Sequence, residues 1–318
     1  MSAPTCGAVL DAWFAEWGPQ LKPATRKRIP HCIDRQLVWL RDKPVTALST
    51  PVLWEYVEHW TAEGLSPGTI NQSLAWLRRS MRLLWEGELS EFDWEPPDGR
   101  EGKSPGPRIT AAMKRCETMY GHTVDERQPL TPAEAEILLA CADELGPELA
   151  PMLRLAIGTG MRGGELRALH WDCVDLRRSV IEVRRNFSAD VIGTPKGRRR
   201  RTVHLPQGCV DMLRSMREKA LRISRTGSTF VFERNQLFWT ESQLGHAMNR
   251  VLSAAVQRGV REGLSLHSAR HFYVTHALDQ GVPMAWLQHQ VGQTAKTLER
   301  YTHPSHFRRP NLSWADFE

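Results

Sequence analysis

No stretch of this chain is apolar for long enough to cross a bilayer. The amino terminus, MSAPTCGAVLDAWF, also lacks the basic leader and apolar run of an export signal. A cytoplasmic protein is the expectation. Cysteine is present but scattered: Cys6, Cys32, Cys116, Cys141, Cys173 and Cys209 form no C-x-x-C pair and no His/Cys cluster at zinc spacing. They read as reduced core residues, with no metal and no other cofactor implied. Tyrosine is scarce, at 4 in 318 residues, so each one invites a reason. An acidic excess is missing too. Lys+Arg 42 against Asp+Glu 36 leaves a formal charge of +6, which is compatible with nucleic acid without demanding it. No internal repeat or low-complexity tract is visible.

What the chain does have is helix periodicity. VLDAWFAEW, ATRKRIPHCIDRQLVWL, TPVLWEYVEHWTAEG and SPGTINQSLAWLRRSMRLLWEG carry apolar residues three and four apart, with polar or Pro-containing starts such as Thr50-Pro51 and Ser66-Pro67. A helical domain over residues 1–95 is the expectation, with the tryptophans at 13, 17, 39, 54, 60, 76 and 85 as its core. From Glu95 the text changes to EPPDGREGKSPGPR, and residues 96–128 read as a linker, with a short helix an open alternative after Ile109. A second domain, 129–318, starts at LTPAEAEILLACADEL, where Thr131, Pro132 and Glu134 spell a helix start. Between 174 and 205 the period changes to two. SVIEVRRNF and RRTVHLP read as strands of a small antiparallel sheet and ADVIGTPKGRR as the turn between them, with helices following near 207–224, 240–260, 267–279, 283–290 and 294–301. The fold class is mainly α with that small sheet.

Four stretches could carry chemistry. In GTGMRGGELRALHW the paired glycines allow a sharp turn that presents Arg162, whose guanidinium could fork onto two phosphate oxygens or simply pair with Glu165. In TPKGRRRRTVHLP, Lys196 falls on a hairpin tip where an ammonium could reach a nucleic-acid groove. Arg198 and Arg199 behind it would then attract the nucleic-acid backbone, and an ordinary wet turn is the alternative. In SLHSARHFYVTHALDQG, His267 and Arg270 lie three apart on one helix face and together suit an oxyanion, while His271 and His276 read as structural or surface residues. The fourth stretch, LERYTHP, places Tyr301 among cations. A phenol of pKa about 10 is a poor nucleophile unless positive charge stabilises its anion.

In this order the four stretches resemble the tyrosine recombinases, the family of phage integrases and chromosome-dimer-resolving enzymes. Thr159 to Leu166 is similar to the family's T-G-x-R-x-x-E-L motif, Lys196 to its hairpin lysine, HSARH to H-x-L-R-H, and Tyr301-Thr302-His303 to its Y-x-H ending. Ala269 replaces the leucine of H-x-L-R-H, and two further features depart from the pattern. Gln293 stands where the family has histidine or tryptophan, with His289 one turn earlier as the other candidate, and the interval to Tyr301 is one residue shorter.

The resemblance implies a core-binding domain followed by a catalytic domain, and a recombinase that forms a 3′-phosphotyrosyl intermediate. It makes Tyr301 the nucleophile, Arg162 and Arg270 the clamps on the phosphate, Lys196 the acid, His267 a base or orienting group and Gln293 a neutral donor. Double-stranded DNA with inverted half-sites is the implied partner, bound by a dimer per site and a tetramer in synapse, in a bacterial or phage-encoded protein at the nucleoid. Arg26, Lys27, Arg78 and Arg79 would meet phosphates from the first domain. The tail, with Phe307, Leu312, Trp314 and Phe317, would dock on a neighbouring protomer. The alternative is a relative that binds DNA as a repressor or accessory factor and has lost the chemistry.

Overall fold

The computed structural model describes residues 2–97, 103–119, 129–195, 200–223, 229–234 and 237–301. Lys196, Arg198, Arg199, His303 and the tail lie outside these residues. The chain divides into two compact units, Met1–Glu126 and Arg127–Glu318.

The first unit is built from helices α1 (Cys6–Trp17), α2 (Pro23–Arg35), α3 (Val38–Arg41), α4 (Thr50–Ala62), α5 (Pro67–Trp85) and α6 (Gly106–Met119). Starts are fixed by side-chain caps: the Thr5 hydroxyl accepts from the Ala8 amide at 3.3 Å and the Ser66 hydroxyl from Thr69 at 3.3 Å, with Pro67 opening α5. Leu10, Trp13, Ile29, Leu53, Tyr56, Ile70, Leu74 and Leu77 are fully buried together. Helix α6 arises inside the segment that reads as a linker. Its Ile109, Ala112 and Cys116 complete this core against α4 and α5, so burial of one apolar stripe overrides the Pro/Gly-rich run before it.

Trp54 departs from the tryptophan reading. It is 39% exposed, and the Arg115 guanidinium covers its ring at 4.3 Å from the centroid.

The second unit opens with α7 (Pro132–Leu145), whose capping box is complete: Glu134 accepts from the Thr131 amide at 2.8 Å, and the Thr131 hydroxyl accepts from Glu134 at 3.2 Å. Helices α8 (Ala150–Thr159) and α9 (Gly163–Arg167) follow. Strands β1 (Val174–Asp175), β2 (Val180–Val183) and β5 (Arg201–His204) form an antiparallel sheet in the order β1-β2-β5, with Ile181 facing Val203 in the core.

Where a single long turn is expected, β3 (Asn186–Ser188) and β4 (Val191–Gly193) make a second ribbon. Ala189 and Asp190 join them with positive φ of 49° and 60°, the two-residue turn that matches strand twist. Asp190 anchors the turn by accepting from the Glu241 amide at 2.8 Å and from Arg167. After α10 (Gln207–Ile223) a further ribbon, β6 (Glu233–Arg234) and β7 (Leu237–Phe238), fills the interval between the helices expected near 207–224 and 240–260. Then come α11 (Glu241–Gln257), α12 (Leu266–Asp279), α13 (Met284–Val291), α14 (Ala295–Leu298) and a 3₁₀ turn, Glu299–Tyr301. Helix α12 packs on α8, and α13 packs on β5. These two contacts build the site.

Candidate active site

Three chain reversals set the geometry. Helix α8 ends at Gly160 with φ +66°, and α13 ends at Gly292 with φ +63°. Neither position admits a side chain: a Cβ on Gly160 would stand 2.6 Å from Tyr273, and one on Gly292 would stand 2.9 Å from Arg201. The third reversal is the start of α9, where the Glu165 carboxylate accepts from the Arg162 amide at 2.9 Å.

Arg270 lies in the second turn of α12 and is fully buried. Its Nη1 donates to the Gly160 carbonyl at 2.7 Å and its Nη2 to the Val291 carbonyl at 2.6 Å, while Nε has no partner among the described residues. Burial and then the positive charge of Arg162 pull its pKa down to about 9. Arg162, less buried, donates to Glu165 at 3.0 Å and to the Gly292 carbonyl at 3.0 Å. The two arginines are thus tied to adjacent carbonyls at the end of α13, where the helix dipole is negative.

Glu165 is 1% exposed. Burial would push its carboxyl up, but hydrogen bonds and charge from Arg201, then charge and an amide bond from Arg162, outweigh that and hold it below the usual range. Around this one carboxylate stand three cations, Arg162, Arg201 and Arg270. The site carries a surplus of positive charge with a buried guanidinium edge left over, which is what a phosphate would fill.

Tyr301 ends the last turn. It packs beside Val274, Leu287, Val291 and Leu298 and lies near enough to Arg270 to bear on that guanidinium. Its ring stands 4.9 Å from His271, which stands 5.1 Å from His267. His271 reads from the sequence as structural or surface, yet it is the imidazole seated beside the phenol. The signal was its spacing, four residues after His267 on one helix face. His267 itself is exposed at the start of α12, and Gln293 is half-buried with its Oε1 unpartnered among the described residues. His289 lies exposed on α13.

Sequence reasoning also passed over Arg201 and Gln290. The first hid in a run of arginines, although period-two alternation with Val203 and Leu205 marks it as inward-facing. In the first unit Arg26 and Lys27 are exposed on α2. On α5, Arg78 donates to Thr110 at 3.1 Å, and Arg79 has a buried Nε without a partner among the described residues.

Residues 128–307 match the model of the phage integrase family. A tyrosine recombinase XerC-like protein of Caldanaerobacter subterraneus subsp. tengcongensis is 27% identical over 182 residues, which are 50% of this chain and 46% of that one. Tyrosine recombinase XerD of Pseudomonas putida is 28% identical over 321 residues, 97% of this chain and 95% of that one. The chain spans about half the length of several curated relatives it matches, between 38% and 56% of six of them.

Among solved structures, the Tn1549 transposon integrase in complex with transposon right end DNA superposes with a TM-score of 0.74 at 18% identity, covering 94% of this chain and 95% of that one. A lambda integrase tetramer bound to a Holliday junction gives a TM-score of 0.65 at 15% identity, covering 98% and 80%. These likenesses show a shared two-domain fold.

Proposed function

The chain belongs to the phage integrase family, and from that premise we propose that it is a site-specific DNA recombinase that cleaves and rejoins strands through a 3′-phosphotyrosyl link. One observation carries the reading: Arg270 is a fully buried cation, held by two carbonyls and, among the described residues, bonded to no carboxylate, beside Arg162 and within electrostatic reach of Tyr301. A phosphodiester between the arginines supplies the missing negative charge. As the phosphorus takes up a fifth oxygen its charge grows, so the two guanidiniums bind the transition state more tightly than the substrate.

The Tyr301 oxygen attacks phosphorus, forming one P–O bond while the bond to the 5′ oxygen breaks. The phenol proton passes to an imidazole, His267 or its neighbour His271, and the leaving oxygen takes a proton from Lys196. Gln293 donates a hydrogen bond to a phosphate oxygen. The tyrosyl link conserves the energy of the broken bond, so the 5′ hydroxyl of a second strand can displace Tyr301 without a nucleotide. Integration, excision or resolution follows from which ends rejoin.

The partner is duplex DNA with inverted half-sites, bound by two copies per site and four in the synapse. The lambda integrase structures, a dimer on a core site and a tetramer on a Holliday junction, support that stoichiometry. Residues 1–95, together with α6 that completes their core, form the core-binding domain, with 129–318 the catalytic domain. Arg26, Lys27, Arg78 and Arg79 meet DNA phosphates from the first, while Arg198 and Arg199 do so from the second. The work is done in the cytoplasm, at the nucleoid.

The test is covalent capture. Sheared DNA from the replicon that carries the gene is incubated with the protein and denatured, and the fragments that stay attached are sequenced. The wild type retains a single family of junctions and Tyr301→Phe retains none. Absence of any adduct with the wild type rejects the reading.

A further inference from the structure

Nothing in the chemistry above uses Arg201, one of four consecutive arginines beside a turn. Its surroundings are unlike those of a solvated cation. The residue is 8% exposed, and all three guanidinium nitrogens are engaged. Nη1 and Nη2 fork onto the Glu165 carboxylate at 2.8 and 2.7 Å, and Nε donates to the Gln290 carbonyl at 3.0 Å. The Gln290 side chain then clips the strand beside it. Its Oε1 accepts from the His204 amide at 2.9 Å and its Nε2 donates to the His204 carbonyl at 3.0 Å.

Each of these bonds leads to Arg162. Glu165 receives both the amide and the guanidinium of Arg162, at 2.9 and 3.0 Å. Two residues beyond Gln290, Gly292 receives the other end of that guanidinium at 3.0 Å. Arg201 therefore holds both supports on which Arg162 rests, the carboxylate and the end of α13. The bare backbone of Gly292 lies against the Arg201 side chain so closely that a Cβ would come within 2.9 Å of its Cδ. A buried ion pair is weak evidence of stabilisation on its own, since apolar replacements often serve as well. Three directional bonds that meet at the two anchors of one neighbour do something an apolar residue cannot: they fix an angle.

Resting on the recombinase reading, we propose that Arg201 is a positioning residue for strand cleavage, acting through Glu165 and the end of α13 to aim the Arg162 guanidinium at the scissile phosphate.

The experiment compares two substrates. A synthetic half-site duplex with the sequence recovered by covalent capture carries either an ordinary scissile phosphodiester or a methylphosphonate, in which a methyl group replaces one charged oxygen. A neutral linkage needs less help from a guanidinium, so Arg162→Ala calibrates how far its own defect is relieved. Arg201→Gln is expected to slow single-turnover cleavage of the phosphodiester by about 10²-fold, the scale of one lost oxyanion donor, with DNA affinity unchanged. On the methylphosphonate diastereomer that relieves Arg162→Ala, its deficit shrinks to under about tenfold. Arg201→Lys, which keeps the charge but cannot fork, falls between.

An equal deficit on both substrates, or none on the phosphodiester, overturns the proposal. Should Arg201→Gln not fold, Arg201→Lys judged by the same ratio decides alone. A wild type that forms no adduct with either substrate removes the recombinase reading instead, and so the two failures are distinct.

Discussion

Arg162 donates to the carbonyl of Gly292, a residue 130 positions later in the chain, at 3.0 Å. That bond closes a ring through α9, β5 and α13, and it exists because Gly292 turns left-handed at φ +63° with its bare Cα against Arg201. Gly292→Ala forces an L-residue into a conformation that costs about 1–3 kcal/mol and drives a methyl into a neighbour. A fall in thermal midpoint together with slower adduct formation is the expected outcome, read by a melting curve and a denaturing gel. A variant that melts and cleaves like the wild type would show that the ring is slack.

Arg270 supplies a pH signature. Burial disfavours its charged form and holds its pKa at about 9, below the ordinary guanidinium range. The cost of burying the cation is therefore fully present below about 9, and it is relieved as pH climbs from there toward the pKa of the unfolded chain. An oxyanion that binds only the folded protein reverses that cost while Arg270 is charged. Inorganic sulfate is therefore expected to raise the melting temperature at neutral pH, with the gain fading above about 9. The same titration on Arg270→Gln should show little gain at either pH. A sulfate effect that is identical in both proteins would place the anion elsewhere.

Tyr301 and His271 can be separated by substitution. Phenylalanine keeps the packing of Tyr301 against Leu298 and Val291 but has no oxygen to attack with, so DNA binding should survive while adducts vanish. His271→Asn removes the imidazole whose ring stands 4.9 Å from the phenol. A rate loss of about 10²–10⁴, the usual contribution of a general base, is expected if it accepts the phenol proton. Single-turnover rates for His267→Asn and His271→Asn, side by side, assign the proton. The variant with the smaller loss is not the base.

Two tryptophans of the first unit should differ sharply. Trp13 is fully buried and stacks on Trp76 at 5.8 Å, whereas Trp54 is 39% exposed beneath Arg115. Trp13→Ala is expected to cost about 3–5 kcal/mol and Trp54→Ala less than about 1, measured by urea unfolding followed by circular dichroism. Similar costs would mean that the exposed ring is covered in solution.

The order of elements and the order of the chemistry-bearing stretches were legible because both are local. Apolar spacing writes the helices of the first unit, and Gly160, Arg162, Glu165, His267 and Arg270 lie in short patterns with an evident reason. What escaped was set by tertiary closure. The hairpin at Ala189 and Asp190 lacks the Asn-Gly signature, and it is held instead by contacts of Asp190 with Arg167 and with the amide of Glu241. Helix α6 was masked by the prolines before it until its stripe met α4 and α5. Arg201 escapes notice because a run of four arginines averages to a solvated face, and averaging hides the one whose strand parity turns it inward. His271 reads as structural or surface because its neighbour Tyr301 comes from 30 residues further on.

The exposed cations of α2 give a last test, one independent of the chemistry. Arg26 and Lys27 are open to solvent with no ion pair among the described residues, as suits groups waiting for phosphate. Each phosphate neutralised on duplex DNA contributes about 0.9 to the slope of log affinity against log salt. Arg26→Ala with Lys27→Ala is therefore expected to lower that slope by about 2, weakening binding on specific and unrelated duplexes alike. Contacts to base edges would instead relax discrimination and leave the slope nearly unchanged. Fluorescence anisotropy over a salt series, on the captured site and on a scrambled duplex, separates the two. An unaltered slope on both would take these residues off the DNA.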